Sequence, residues 1–188
     1  MSCYATRNHA FVPAVTWTLD GAELRCDDGG GPPRRYALKD VCEMRLEFCP
    51  TRPERNRYRC RLRFARGGTV EFYNRTYRGV YDFADTSPAY VAFVSALLAA
   101  LRQHAPACRY ISGTSAANYA LGVIGFVVAC GAVLLVLLFA LTSGLWWLVL
   151  LKAAIIVFYL PTAWRWLRRN RERDFDPRNP PSDLLPRI

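Results

Sequence analysis

Histidine and lysine are scarce in this chain of 188 residues. The only histidines are His9 and His104, and the only lysines are Lys39 and Lys152. The seven cysteines include no pair separated by two residues. Because zinc sites are built from histidine and closely spaced cysteine, the sequence predicts neither a metal site nor a bound cofactor.

Signals for export and for catalysis are also missing. Residues 1–14 contain no run of seven apolar residues, so we do not expect a secretory signal there, and we expect the segment that follows to stay in the cytoplasm. Cytoplasmic cysteines are expected to be reduced thiols. No carboxylate dyad, Cys–His pair or phosphate-binding loop is present, which favours a protein without enzymatic activity.

Charge is absent from one long stretch. Between Arg109 and Lys152 there is no charged side chain. A membrane-spanning helix needs about 20 mostly apolar residues, and this run is long enough for two when it is extended to Trp166. We therefore predict a hairpin of two transmembrane helices. Its segments are a linker at 110–118, a first helix at 119–141, an extracytoplasmic turn at 142–144 and a second helix at 145–166.

Basic residues lie at the end of the predicted hairpin and directly after it, whereas its turn has none. They are Arg165, Arg168, Arg169, Arg171 and Arg173. Cytoplasmic flanks of membrane proteins carry the excess of Lys and Arg. We therefore predict that both termini are cytoplasmic and that these arginines anchor the chain beside anionic lipid head groups. Residues 167–188 form a tail that is first basic and then proline-rich.

Lys152 is an ionisable residue inside the second predicted helix. Neither predicted helix contains an Asp or Glu that could pair with it. One explanation is that its long side chain extends to the outer head groups. The other is that it pairs with a carboxylate of another chain, which would mark an assembly. The sequence alone leaves both explanations open.

Ahead of the membrane segments, apolar residues alternate with polar ones, which is typical of half-buried β-strands. Trp17 and Leu19 alternate with threonines, and an Asp20-Gly21 turn leads to Leu24 and Cys26 in a predicted hairpin. Further runs begin at Tyr36, Cys42, Tyr58 and Val70, and the run from Cys42 turns Glu43, Arg45 and Glu47 to its solvent face. About six short antiparallel strands of this kind predict a strongly bent sheet or small barrel.

An amphipathic helix is predicted to follow these strands, at residues 88–104. Ser87 is a favoured N-cap residue, and Pro88 is favoured at the first helical position. Apolar residues then follow the spacing of one helix face: Tyr90, Val91, Phe93, Val94, Leu97, Leu98 and Leu101. We expect this helix to plug the curved sheet, so that residues 1–109 form one cytoplasmic α+β domain.

Every second residue of one predicted strand is an arginine. The residues are Arg57, Arg59, Arg61 and Arg63, here called the arginine row. Residues 34–78 carry 13 Lys and Arg against 5 Asp and Glu, a surplus of +8 within a formal net charge of +10. Arg binds phosphate bidentately, and basic clusters close to a membrane are typical of anionic-lipid binding. We predict that the row binds anionic head groups or a protein partner and not nucleic acid; an ordinary solvated strand face is the alternative.

Two stretches and the tail carry a resemblance to a known family. The stretches are Trp17-Thr18-Leu19-Asp20-Gly21-Ala22-Glu23-Leu24 and Tyr36-Ala37-Leu38-Lys39-Asp40-Val41, and the tail runs from Arg173-Asp174-Phe175-Asp176-Pro177 to Leu184-Leu185-Pro186. With the order of strands, helix and hairpin, they resemble uncharacterised bacterial membrane proteins that have a pleckstrin-homology-like (PH-like) cytoplasmic domain. The resemblance implies a PH-like fold, a multi-pass location in the bacterial inner (plasma) membrane and, at most, a binding role.

Three functions follow from these patterns. The preferred one is a non-enzymatic inner-membrane protein whose PH-like module binds protein partners or anionic lipid head groups. The second is a small accessory subunit of a larger membrane complex, which it would contact through its hairpin and tail. The third, a membrane-bound enzyme, has the least support because no catalytic constellation is present. A membrane-protein partner or a homo-oligomer is expected under the first two.

Overall fold

The computed structural model describes residues 2–7, 13–51, 54–80, 82–142 and 163–186. Contacts divide the chain into two units. The first, here called the α+β unit, comprises Met1–Gly113 and Arg173–Ile188, and the second, the helical unit, comprises Thr114–Glu172. Residues 173–188 of the tail therefore belong with the N-terminal domain, and that domain extends past the boundary expected at residue 109.

Four antiparallel strands form the first sheet of the α+β unit. They are β1 (Ser2–Thr6), β2 (Val15–Asp20), β3 (Glu23–Asp27) and β4 (Arg34–Ala37), paired in that order. Gly21 turns the chain between β2 and β3 with a φ of 56°, which confirms the predicted hairpin. The sequence patterns did not predict β1, because only Tyr4 and Thr6 of that strand are buried and one of them is polar.

Five strands form the second sheet. They are β5 (Val41–Phe48), β6 (Tyr58–Phe64), β7 (Thr69–Tyr73), β10 (Arg109–Ser112) and β11 (Arg173–Asp174). The spatial order is β11-β10-β5-β6-β7, and β8 (Arg75–Gly79) with β9 (Asp82–Asp85) forms a separate hairpin. Because β10 runs parallel to β5, the sheets are mostly, and not wholly, antiparallel.

Both faces of β5 are buried, so the expectation that Arg45 and Glu47 face solvent is wrong. Met44 and Leu46 contribute to the core, and Arg45 and Glu47 on the opposite face are only 7% and 1% exposed. β5 lies between β10 and β6. Long side chains on neighbouring strands therefore meet the charged face of β5 and cover it.

The helix α1 (Ser87–His104) contacts both sheets. Its buried face consists of Tyr90, Phe93, Val94, Leu97, Leu98 and Leu101, with Val91 partly buried beside them, which confirms the predicted apolar face. The Phe93 ring stacks on Tyr4 of β1 at 5.5 Å between centroids and lies 5.2 Å from Phe72 of β7. Full burial of a side chain of this size is worth about 1.5–3 kcal/mol. The helix therefore joins the two sheets in one core.

The start of α1 is held by residues around it, and Ser87 is not the N-cap. Thr86 occupies that position, and the Asp85 carboxylate accepts a hydrogen bond from the Ser87 backbone N at 2.8 Å. The Ser87 hydroxyl accepts a bond from Nδ2 of Asn74 at 2.9 Å instead. Asn74 is fully buried, and its Oδ1 accepts from the Tyr58 backbone N at 2.7 Å. One buried amide thus connects the start of β6, the end of β7 and the start of α1.

The C-terminal tail folds back onto the α+β unit. β11 pairs with β10, and the Phe175 ring lies 5.9 Å from the Tyr110 ring. Leu184 is 2% exposed and belongs to the same core as α1. Since its prolines exclude a regular helix, the tail is held by strand pairing and by this buried side chain.

The helical unit begins with α2 (Ala116–Thr142), earlier than the start predicted at residue 119. Residues 163–169 are also helical, and the Tyr119 ring stacks on Trp166 at 6.2 Å. A Cβ atom on Gly122 would collide with the Trp166 ring, so glycine allows this approach. Residues 143–162, which hold the rest of the predicted turn and most of the second predicted helix, lie outside the described residues.

Candidate functional site

The arginine row lies along β6 and the residue that precedes it, and every guanidinium group in it is paired with a glutamate. Arg57 lies 3.5 Å from Glu54, Arg59 lies 3.2 Å from Glu71, Arg61 lies 2.8 Å from Glu71, Arg63 lies 2.9 Å from Glu43, and Arg59 also pairs with Glu47. Four arginines thus share four glutamates. The row is an ion-pair network and not a free cationic surface.

Strand register brings these charges together. Glu47 and Glu43 of β5 stand opposite Arg59 and Arg63 of β6, and Glu71 of β7 stands opposite Arg61. Opposite charges at directly paired positions stabilise a sheet. The glutamates are scattered over two strands and a loop of the sequence, and only the register aligns them with the arginines.

Arg59 and Glu47 form the most buried pair of the network, with side chains 20% and 2% exposed. Burial by itself lowers the pKa of Arg59, but the neighbouring Cys49 and Glu47 outweigh this effect, and the pKa is raised. Burial also raises the pKa of Cys49 to about 11. That thiol is therefore neutral at pH 7, and the Glu47 and Glu71 carboxylates are the charges that Arg59 meets.

Glu71 receives three donors on the other side of the row. The Tyr73 hydroxyl donates to Oε2, and Nε of Arg61 and Nη1 of Arg59 donate to Oε1 at 2.8 and 3.2 Å. Burial raises the pKa of Glu71, but these donors outweigh burial and hold the pKa below its usual value. The Arg57 guanidinium lies 4.1 Å from the centroid of the Tyr73 ring, a cation–π contact that extends the network.

The five predicted anchor arginines divide between the two units. Arg165, Arg168 and Arg169 lie within the helical residues 163–169, and Arg171 follows them in the helical unit. Arg173 begins β11 in the α+β unit, with its guanidinium 4.0 Å from Asp183. Lys152 lies outside the described residues, so both explanations for it stay predictions.

The helix α2 exposes a continuous apolar surface. Within it, Ala116–Leu135 is long and apolar enough to cross a membrane, and none of that span is buried. Its exposed large side chains include Leu121, Ile124, Val127, Val128, Leu134 and Leu135, each at least 57% exposed. In the part of the chain that the structure describes, this is the one helix with these properties. Soluble monomers rarely leave apolar patches of this extent in water.

The sequence patterns did not identify a cleft that opens at the C-terminal end of α1. This α1 cleft has a volume of about 860 Å³. It is lined by α1 residues such as Ala96 and Arg102, by Tyr110 of β10 and by Arg178 of the tail. These segments are far apart in the sequence and meet only in the folded unit, so no local pattern predicts the cleft.

Over the described ranges, no group of three or more His, Cys, Asp or Glu side chains is placed to hold a metal ion. Comparison of the chain with protein-family models, curated proteins and solved structures found no match.

Proposed function

We propose that this chain is a non-enzymatic protein of the bacterial inner membrane, in which the α+β unit is a PH-like binding module and the helical unit is a transmembrane hairpin. The observation that carries the proposal is the exposed apolar surface of α2. No part of the span Ala116–Leu135 is buried, so its side chains need an apolar environment from outside the described residues. A lipid bilayer supplies that environment, and a helix satisfies its own backbone hydrogen bonds within it.

The two ends of the helical unit support the hairpin. The Thr114 backbone N donates to the Asn170 carbonyl at 3.1 Å, and the Ala116 backbone N donates to the Glu172 carboxylate at 2.7 Å. The chain that leaves at Thr114 therefore returns beside its starting point. Because basic residues such as Arg165 and Arg168 lie at this end, we place it on the cytoplasmic side.

The order of elements in the α+β unit supports the PH-like module. A four-stranded antiparallel sheet is followed by the three antiparallel strands β5–β7 and then by α1, which contacts both sheets. The β8–β9 hairpin and the β10–β11 pair are additions to this plan. The binding role is proposed by analogy with PH-like modules, because a fold by itself does not determine function.

A protein partner fits this module better than direct capture of lipid phosphates by the arginine row. Each guanidinium of the row already meets a carboxylate, so a phosphate would have to displace glutamates that are partly or fully buried. The alternative of an accessory subunit that makes contact through its tail has less support, because Leu184 anchors the tail in the core of this chain.

Membrane insertion is tested by placing charge on α2. We expect Val127→Arg combined with Val128→Arg to move the protein from the membrane fraction into the alkali-extractable or aggregated fraction. Each charge near the bilayer centre costs about 2.5–3.5 kcal/mol on insertion scales. The control is Val80→Arg, which changes an 83% exposed valine in the α+β unit and should leave membrane partitioning unchanged. Extraction of the unmodified protein by alkali would contradict the proposal.

Topology is tested with reporter fusions. A reporter that works only in the cytoplasm should give a signal when it is fused at Ile188, and one that works only on the outer side should give a signal when it is inserted at residues 142–144. This is expected because basic residues surround the hairpin and are missing from its turn. A periplasmic signal from Ile188 would overturn the orientation.

A further inference from the structure

Two guanidinium groups that meet no carboxylate of the described residues line the α1 cleft. Arg102 lies in the last turn of α1, and Arg178 lies in the tail. Neither forms an ion pair within the described residues, and no Asp or Glu lines the cleft. The arginine row shows the opposite arrangement, since each of its guanidinium groups meets a glutamate. The α1 cleft is therefore cationic where the row is neutralised.

Part of this charge has a structural explanation. Arg102 and His104 occupy the last turn of α1, where cations stabilise the partial negative charge of a helix C-terminus. That explanation does not extend to Arg178. This residue reaches the cleft only because Phe175 and Leu184 hold the tail against the core of the α+β unit.

A further polar group of the cleft lacks a partner. The Tyr110 hydroxyl is buried and makes no hydrogen bond within the part of the chain that the structure describes. Burial raises the pKa of Tyr110 to about 12, although Arg102 acts in the opposite direction, so the hydroxyl keeps its proton at neutral pH. Because solvent does not reach this hydroxyl, it is not a contact for a ligand, and Tyr110 contributes to the wall of the cleft only.

The shape of the cleft favours an extended ligand. Ala96, Ala99 and Ala100 line it with small side chains and leave an open trough of about 860 Å³. Sites for small molecules bury most of the ligand surface in a concave pocket. A peptide segment differs, because it binds along a groove through its backbone and a few side chains and keeps one face in solvent.

We propose that the α1 cleft binds an acidic peptide segment of a partner protein. Carboxylates of the peptide pair with Arg102 and Arg178, beside the Tyr110 side chain that forms part of the wall. The alanines leave room for the peptide backbone. This inference rests on the proposed binding role of the α+β unit, but it does not depend on membrane insertion of the helical unit.

The test uses the full-length protein in nonionic detergent and an array of short random peptides, followed by fluorescence anisotropy with the strongest binder. We expect enrichment of Asp and Glu among the bound peptides, and an affinity that falls as salt is added. Arg102→Gln combined with Arg178→Gln should weaken binding about tenfold, the loss expected for two partly exposed ion pairs. Tyr110→Phe should leave binding unchanged, because the hydroxyl that it removes is closed to solvent.

The matched control is Arg35→Gln combined with Arg66→Gln. It removes the same net charge from two exposed arginines that do not line the cleft, and it should leave the affinity unchanged. Equal losses in the two double variants would show that binding follows net charge, and this would overturn the proposal.

Two other outcomes would also overturn it. The first is an array without acidic enrichment or without binding. The second is binding of glycerol 3-phosphate at the cleft when no peptide binds, with that binding lost in Arg102→Gln combined with Arg178→Gln. The cleft would then be a site for a phosphate head group. Because the assay is carried out in detergent, it can be interpreted whether or not the fractionation experiment supports membrane insertion.

Discussion

The arginine row and the α1 cleft both present arginines, but these arginines meet different neighbours. In the row, every guanidinium group forms an ion pair with a glutamate. The glutamates are Glu43 and Glu47 of β5, Glu54 of the loop before β6 and Glu71 of β7. In the cleft, Arg102 and Arg178 meet no carboxylate of the described residues. A count of charges along the chain favours the row as a binding surface. Pairing in three dimensions favours the cleft, so local charge density in a sequence does not give the sign of a surface.

The two regions should therefore contribute to different properties. A buried pair such as Arg59 and Glu47 makes stability sensitive to the loss of either partner, because the remaining charge stays buried. Exposed, unpaired arginines contribute little to stability and remain available to a ligand. Perturbing the row should change unfolding, and perturbing the cleft should change binding.

The largest effect is expected for Glu47→Ala. This change leaves Arg59 without its most buried partner and should lower the free energy of unfolding by about 3 kcal/mol. Denaturant unfolding of the full-length protein in detergent, followed by tryptophan fluorescence, measures it. The control is Glu23→Ala, which removes a carboxylate 3.6 Å from the partly exposed Arg25 and should cost no more than about 1 kcal/mol. Equal losses of unfolding free energy for the two changes would show that the buried pair of the row stabilises the protein no more than a partly exposed pair does.

Leu184→Ala should have the next largest effect, because it creates a cavity where the tail enters the core. We expect a loss of about 2–3 kcal/mol in unfolding free energy. Limited proteolysis should then cleave the tail earlier than in the unmodified protein, and the α1 cleft should lose affinity for acidic peptides as Arg178 moves away. The partly buried Leu185 gives the control, as Leu185→Ala should cost less. Unchanged peptide affinity in Leu184→Ala would mean that the tail does not contribute to the cleft.

A smaller effect should appear in the dependence of stability on pH. The pKa of Glu71 in the folded chain is lower than its ordinary value of 4.5, so its stabilising contribution is complete above pH 4.5 and is lost as the pH falls through the folded value. Glu71→Gln should therefore flatten the fall in stability in acid, as measured by unfolding at a series of pH values. Arg102→Gln combined with Arg178→Gln should leave that slope unchanged. An unchanged slope in Glu71→Gln would show that the row does not stabilise its carboxylates.

The smallest effect on stability is expected for Arg102→Gln combined with Arg178→Gln. Since neither side chain has an ion-pair partner in the described ranges, the free energy of unfolding should change by no more than about 0.5 kcal/mol. The same denaturant experiment measures the change. A loss as large as that of Glu47→Ala would assign these arginines a structural role and weaken the comparison between the two regions.

Local patterns were sufficient for much of the fold. Alternation along the chain predicted the β2–β3 hairpin and β6, and helical spacing predicted the buried face of α1. The absence of charge predicted the apolar helix α2. For the strands and α1 the signal lies within one strand or a few helical turns, because burial of one face imposes a period of 2 or 3.6 on neighbouring residues. For α2, whose membrane-length span is not buried, the signal is the length of the uncharged run.

Other features needed contacts between distant segments. β10 and β11 are short strands whose partners lie far away in the sequence, and β1 has a weak apolar pattern, so no window of residues predicts them. The same holds for the arginine row and the α1 cleft. The alternation placed the arginines on one face of β6, but the register of β5 and β7 supplied the glutamates that neutralise them. The α1 cleft, in turn, exists only where the tail returns to the end of α1. Contacts between segments that are far apart in the sequence depend on the packed core and not on local sequence.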